Sequence, residues 1–349
     1  MSKSGIPEFL KRGALLLASV ISVFYLTECV FMFLPVSQGI NLAYCSKIWF
    51  QKYWRLNDQR YRDREYDNND FDPRRKKIFF IGDSYTAGHG IKNPADRVSD
   101  LVAEKLGPQY VVFNFGQNGS DTKDELRRLL EVPFKPHIVV WQHCMNDIEY
   151  LGNSKAQLYK RMTTSPSMCF RLFSWMSSYS FALNYAFWNY QSFKQSMETI
   201  KNSDEEAAFF HSNPHPFQAL RVKFYNMESV RQRLSGSEIA LYLDTISYNR
   251  HIADLVSVDS ICKRNNIKMI MLFYPYSDDR SLHQMKDDMV RSLEESVEQH
   301  GVKTLDVFSS ATEITENERV VGHLDPHPGV AWNRLVAIDL LKKINAEGW

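Results

Sequence analysis

Five short apolar runs recur after residue 77: Ile78–Ile81, Val111–Phe113, Ile138–Trp141, Met269–Phe273 and Thr304–Phe308. Each is bounded by polar or turn-forming residues, the pattern of a strand buried on both faces. Between them, apolar residues fall at helical spacing. Val98, Leu101, Val102 and Leu106 mark one helix, and Leu126, Leu129 and Leu130 a second. Met285, Met289, Leu293 and Val297 mark a third, stopped by Gly301, and Leu335, Ile338 and Leu341 a last one. Apolar strands alternating with helices predict an α/β fold with a parallel sheet covered on both faces. Such sheets carry their sites beyond the carboxyl ends of the strands.

A different pattern occupies the N-terminus. After a short tail (1–12), residues 13–35 read GALLLASVISVFYLTECVFMFLP, long enough to cross a hydrocarbon core. A transmembrane anchor is the first reading; a cleaved signal and a core helix are its rivals. Glu28 is costly in lipid, so it is expected to face a partner helix or the interface. Lys3, Lys11 and Arg12 precede the segment and Lys47, Lys52 and Arg55 follow it, so the basic bias is nearly balanced. Lys11 and Arg12 lie closest to the hydrocarbon. They favour an extracytoplasmic (periplasmic) domain on a single-pass anchor.

Residues 36–76 form a polar juxtamembrane linker. Its Trp49, Phe50, Tyr53 and Trp54 suit either a membrane surface or packing on the domain. The domain proper spans 77–349 and is interrupted at 151–237, where no clean strand appears. Phe170, Phe173, Trp175, Tyr179, Phe181, Tyr185, Phe187, Trp188 and Tyr190 crowd this stretch. It reads as a mainly helical insertion or lid, with aromatics serving core packing or substrate contact.

Composition narrows the function classes. With 44% hydrophobic and 24% charged residues, the 349-residue chain is an ordinary globular protein beyond its anchor. A net charge of +1 excludes the strongly basic signature of nucleic-acid binding. The five cysteines, Cys29, Cys45, Cys144, Cys169 and Cys262, are scattered and odd in number, unlike a disulfide framework. No repeat, metal-ligand cluster, Walker loop or dinucleotide fingerprint is present.

Four segments at strand ends carry candidate chemistry. Gly82-Asp83-Ser84 follows the first strand, where a sharp strand-to-helix turn projects a serine hydroxyl beside backbone N–H groups. Asn114 to Asp121 follows the second, and the Gly119 N–H is a candidate oxyanion donor. Cys144-Met145-Asn146-Asp147 follows the third; the Asn146 side chain suits an oxyanion hole or a helix cap. Asp325-Pro326-His327-Pro328 precedes the last helix, joining an imidazole base to a carboxylate that sets its tautomer. His323 competes with His327, but no carboxylate stands two or three residues before it.

In order and placement, these segments resemble the four blocks of the SGNH/GDSL hydrolase superfamily. The resemblance implies a flavodoxin-like three-layer sandwich with a five-strand parallel sheet. It implies Ser84 as nucleophile, Asp325 and His327 completing the triad, and oxyanion donors at Ser84 N–H, Gly119 N–H and Asn146. Cys144 stands where the family has glycine, and the Asp lies two rather than three residues before the His. Cys144 is also a rival nucleophile, though no separate base accompanies it. The implied chemistry is acyl transfer without metal or organic cofactor, on acylated glycans or lipids at a membrane. One alternative is an O-acyltransferase beside a multispanning acyl-donor protein; another is a non-enzymatic subunit of a membrane complex.

Overall fold

The computed structural model describes residues 7–39, 43–148, 168–191, 238–275, 283–322 and 324–349. Five strands form one sheet: β1 (Lys76–Ile81), β2 (Tyr110–Asn114), β3 (Ile138–His143), β4 (Lys268–Phe273) and β5 (Thr304–Asp306), in the order β2-β1-β3-β4-β5. All neighbours are parallel. This is the flavodoxin-like order, whose direction of progression reverses between β1 and β3.

The described helices are α1 (Glu8–Met32), α2 (Tyr44–Tyr53), α3 (Ser84–Ala87), α4 (Val98–Leu106), α5 (Thr122–Glu131), α6 (Met168–Ser177), α7 (181–191), α8 (Glu238–Leu243), α9 (Thr245–Arg264), α10 (His283–Glu298), α11 (Val307–Thr312), α12 (Glu316–Arg319) and α13 (Val330–Ala346). Strand side chains alternate between two cores, as a pleated ribbon requires. Phe79, Ile81, Phe113, Trp141 and Met271 meet α5, α9 and α10 on one face. Ile78, Phe80, Val112, Val140 and Leu272 meet α4, α11 and α13 on the other. The result is a three-layer sandwich.

Several elements depart from the pattern-based expectation. The fifth run stops at Asp306, because that side chain accepts from the N–H groups of Phe308 and Ser309 and starts α11. On α5 the inward face is Thr122, Glu125, Arg128 and Leu129, while Leu130 is 61% exposed. Arg128 turns inward because its guanidinium donates to Gly82 O and Ser120 Oγ, both at 2.9 Å. On α13 the buried stripe is Trp332, Val336, Ala337, Leu340 and Ile344, and Ile338 faces out. Two elements had no forewarning: α9, whose buried face includes Ser247, His251 and Asp259, and the antiparallel pair β6 (Val320–Gly322) and β7 (Asp325–Pro328).

Helix α1 is the one described helix long and apolar enough to cross a membrane, with mean hydropathy 2.1 and no buried residue. It ends three residues short of Pro35, consistent with proline disfavouring helical geometry in the residue before it. Glu28 meets a partner helix within its own chain. Its carboxylate accepts from Ser180 Oγ, from Phe181 N–H at 2.8 Å and from Ala182 N–H at 3.3 Å, capping α7. Phe31 packs on Tyr185, and the side-chain Oδ1 of Asn184 accepts from Tyr44 N–H.

Of the insertion 151–237, only 168–191 lies within the described residues. There the aromatics divide. Phe187 is buried, whereas Phe173, Trp175, Tyr179 and Tyr190 are 57–76% exposed, so core packing does not account for them. In the linker Trp49 is fully buried, which assigns it to packing on the domain. Arg62 is buried as well and grips the loop after α3 through Ala87 O, Gly88 O and Ile91 O.

Candidate active site

The site lies where the strand order reverses, at the carboxyl ends of β1 and β3. Gly82 leaves β1 so close to β3 that an added Cβ would sit 2.1 Å from Thr86 Oγ1 and 2.9 Å from Gln142 O. Only glycine fits that turn. Asp83 then caps α3, accepting from Tyr85 N–H at 2.8 Å, which presents Ser84 at the first turn of the helix.

Hairpin β6–β7 delivers the partners. Asp325 Oδ1 lies 2.5 Å from His327 Nδ1, and His327 Nε2 lies 2.9 Å from Ser84 Oγ. A carboxylate only accepts, so Nδ1 carries the proton. In neutral His327, Nε2 therefore offers its lone pair to the Ser84 hydroxyl. Ser84 Oγ has a second neighbour, Asp83 Oδ2 at 3.1 Å, which the single hydroxyl proton can serve only by leaving His327.

Asp325 is 1% exposed. Burial alone pushes its carboxyl up, but the hydrogen bond and charge of His327, with His89 and Ser37, outweigh it and hold it at about 2.

The remaining sequence candidates gather at the same place. Gly119 has φ of 73°, the left-handed region that favours glycine. Its loop is fastened to Gly82 O by Gln117 N–H at 3.1 Å and Ser120 Oγ at 3.3 Å. Asn146 donates one amide N–H to Asp83 Oδ2 at 3.2 Å, leaving the second N–H of its amide for another acceptor. Cys144 faces the same carboxylate at 3.1 Å. Burial, then Asp147 and Asp83, raise its thiol well above the usual range, so it stays protonated and unsuited to attack. His323 lies outside the described residues.

Three contributors were not foreseen. His89 Nε2–H donates to Gln38 O at 3.1 Å, and its Nδ1 accepts from Asn118 Nδ2 at 3.1 Å. The ring stacks on His327, with centroids 4.1 Å apart and planes 15° from parallel. Burial, then the neighbouring His327, lower His89 to about 4, so the His89 ring that stacks on His327 is neutral at pH 7. The Gly88-His89-Gly90 triplet, close after Ser84, was the available signal. Ser37 and Gln38 had none.

Among the described residues, two side-chain groups have metal-ligand composition, His89–Asp325–His327 and Asp83–Cys144–Asp147. All six residues already have hydrogen-bonding partners within the protein, so a cation would have to displace them.

His89 gives the fold a pH signature. Between its folded value near 4 and its unfolded value near 6.5, only the unfolded chain binds the proton. Stability is therefore complete above pH 6.5 and falls as pH drops to 4, by about 3 kcal/mol. His89→Gln should flatten this decline in melting temperature relative to wild type; parallel pH profiles would refute the assignment.

Residues 80–222 match the GDSL-like lipase/acylhydrolase family. The match contains Gly82-Asp83-Ser84, Gly119 and Asn146 and ends before Asp325 and His327; the fold brings His327 Nε2 to 2.9 Å from Ser84 Oγ. This part of the chain carries a GDSL-like lipase/acylhydrolase domain. Solved structures similar to this chain include a lipolytic G-D-S-L family protein from Veillonella parvula (11% identity, 77% of this chain and 98% of that one, TM-score 0.40). Another is a lipase/acylhydrolase from Enterococcus faecalis (16%, 78% and 96%, TM-score 0.42). A third is an acetylxylan esterase from Geobacillus stearothermophilus (16%, 77% and 94%, TM-score 0.39). No curated protein matches the sequence.

Proposed function

We propose that this SGNH/GDSL protein is a serine-dependent acyl-ester hydrolase acting at a membrane surface, on acylated lipids or glycans. The observation carrying the chemistry is the unbroken line from Ser84 Oγ through His327 to Asp325. His327 Nε2 takes the Ser84 proton as Oγ attacks the ester carbonyl. The oxyanion is received by Ser84 N–H, Gly119 N–H and the second N–H of Asn146. When the C–O bond breaks, His327 returns the proton to the departing alcohol. Water then attacks the acyl-serine by the same route, releasing the acid and restoring Ser84. The roles of Ser84, His327, Asp325, Gly119 and Asn146 are this proposal's.

Membrane action rests on α1 and on the short segment that ties it to the domain. At 25 residues, α1 is about 38 Å long, against about 30 Å of hydrocarbon. The contacts of Glu28 with α7 argue that α1 is kept, since cleavage would strip the cap from that helix. Ser37, which touches Asp325, follows the end of α1 by five residues. Five residues span at most about 18 Å, so the site lies close to the bilayer. The exposed apolar residues Leu172, Phe173, Trp175 and Tyr179 flank α7 and supply a surface suited to the headgroup region.

The full-length protein should stay in the membrane fraction through alkaline extraction and, once purified, hydrolyse p-nitrophenyl acetate. Asn146→Ala should remain folded and lose about 10²–10³-fold in kcat. Unchanged turnover would remove Asn146 from the site, and a shortened soluble product would mean that α1 is a cleaved signal.

A further inference from the structure

We propose that Ser37, in the segment joining the anchor to the domain, is a positioning residue for the Ser84–His327–Asp325 triad. The inference rests on that triad being the working centre. The two carboxylate oxygens of Asp325 have separate partners. Oδ1 takes the Nδ1–H of His327 at 2.5 Å and the His327 backbone N–H at 3.2 Å. Oδ2 receives the hydroxyl of Ser37, 288 residues away in sequence. Asp325 is 1% exposed, and an oxygen of a buried carboxylate left without a donor is costly. Gly90 packs so close to Oδ2 that an added Cβ would lie 2.6 Å from it. His89 Nε2, at 3.7 Å, is committed to Gln38 O. Ser37 is therefore the donor that holds Oδ2.

The segment around Ser37 is pinned on both sides. Val36 N–H donates to Cys45 O at 3.2 Å, and Gly39 N–H donates to Leu324 O at 3.0 Å, beside the catalytic hairpin. Gln38 O fixes the Nε2–H tautomer of His89, which stacks on His327. Residues 36–39 thus brace both the carboxylate and the face of the imidazole. The segment begins four residues after α1 ends, so the membrane helix and the triad are joined by one short, hydrogen-bonded strap. Ser37 acts through Asp325, by fixing the rotation of the carboxyl group and hence the direction of the hydrogen bond to Nδ1.

The test uses the full chain in lipid nanodiscs with p-nitrophenyl acetate as probe. Ser37→Ala should lower kcat by about 10- to 100-fold, the scale of one hydrogen bond to a charged group, with KM within about twofold of wild type. Ser37→Thr, which keeps the hydroxyl, should recover most of the rate. Ser37→Cys should fall between them and serves if alanine destabilises the strap. In an Asp325→Asn background, Ser37→Ala should add little further loss, because both changes act through one group. Wild-type kcat in Ser37→Ala, or losses that simply multiply in the double variant, would overturn the proposal. Failure of the underlying triad has a different signature: Ser84→Ala would then retain full activity.

Discussion

Purified full-length protein treated with a fluorophosphonate is expected to carry the label on Ser84, and Ser84→Ala to carry none. A free serine hydroxyl is nearly inert at neutral pH, so covalent capture needs a positioned base and a stabilised oxyanion. Both requirements have a physical basis here: His327 Nε2 stands 2.9 Å from Ser84 Oγ, and the loops bearing Gly119 and Asn146 are fastened to Gly82 and Asp83. His327→Ala should slow labelling and ester hydrolysis by about 10³-fold or more, because a triad acts as a unit. Folded wild-type protein that resists the label would favour a non-enzymatic subunit. Labelling without hydrolysis of any ester would point to a transferase whose acceptor is another hydroxyl.

Asp325→Asn should be nearly as damaging, with kcat reduced by about 10⁴-fold while the fold persists. Ser37 donates to the Oδ2 side, so the asparagine carbonyl is held there and its amide NH₂ turns toward His327 Nδ1. Two donors cannot face each other, so the imidazole proton moves to Nε2, where it meets Ser84 and blocks proton abstraction. Steady-state kinetics report the loss, and the ¹⁵N shifts of His327 report the tautomer. An Asp325→Asn variant within about tenfold of wild type would remove Asp325 from its orienting role.

Much of this architecture was legible in the chain itself. Buried parallel strands need apolar residues on both faces, so Ile78–Ile81, Ile138–Trp141 and Met269–Phe273 announced themselves as continuous runs, and the sheet followed. Strand ends hold the turn residues, which is why Ser84, Gly119 and Asn146 were found as motifs. Asp325 and His327 were legible as a pair of residue types, but the hairpin that carries them was not. Its strands are three and four residues long, and two of the four residues in β7 are proline.

Helical faces were harder to read. α5 buries Arg128, which donates to Gly82 O and Ser120 Oγ, and α9 buries Asp259, which pairs with Lys263, so specific polar partners repay what a hydrophobic pattern assumes is forbidden. The length and apolarity of α1 were plain from local sequence, whereas the partner of Glu28 was not. Ser37, Gln38 and His89 lie at the far end of the same distinction. Local periodicity records which face of an element is buried, and that information sits within a few residues. A hydrogen bond between Ser37 and Asp325 depends on where two distant segments come to rest, and only the folded chain brings them together.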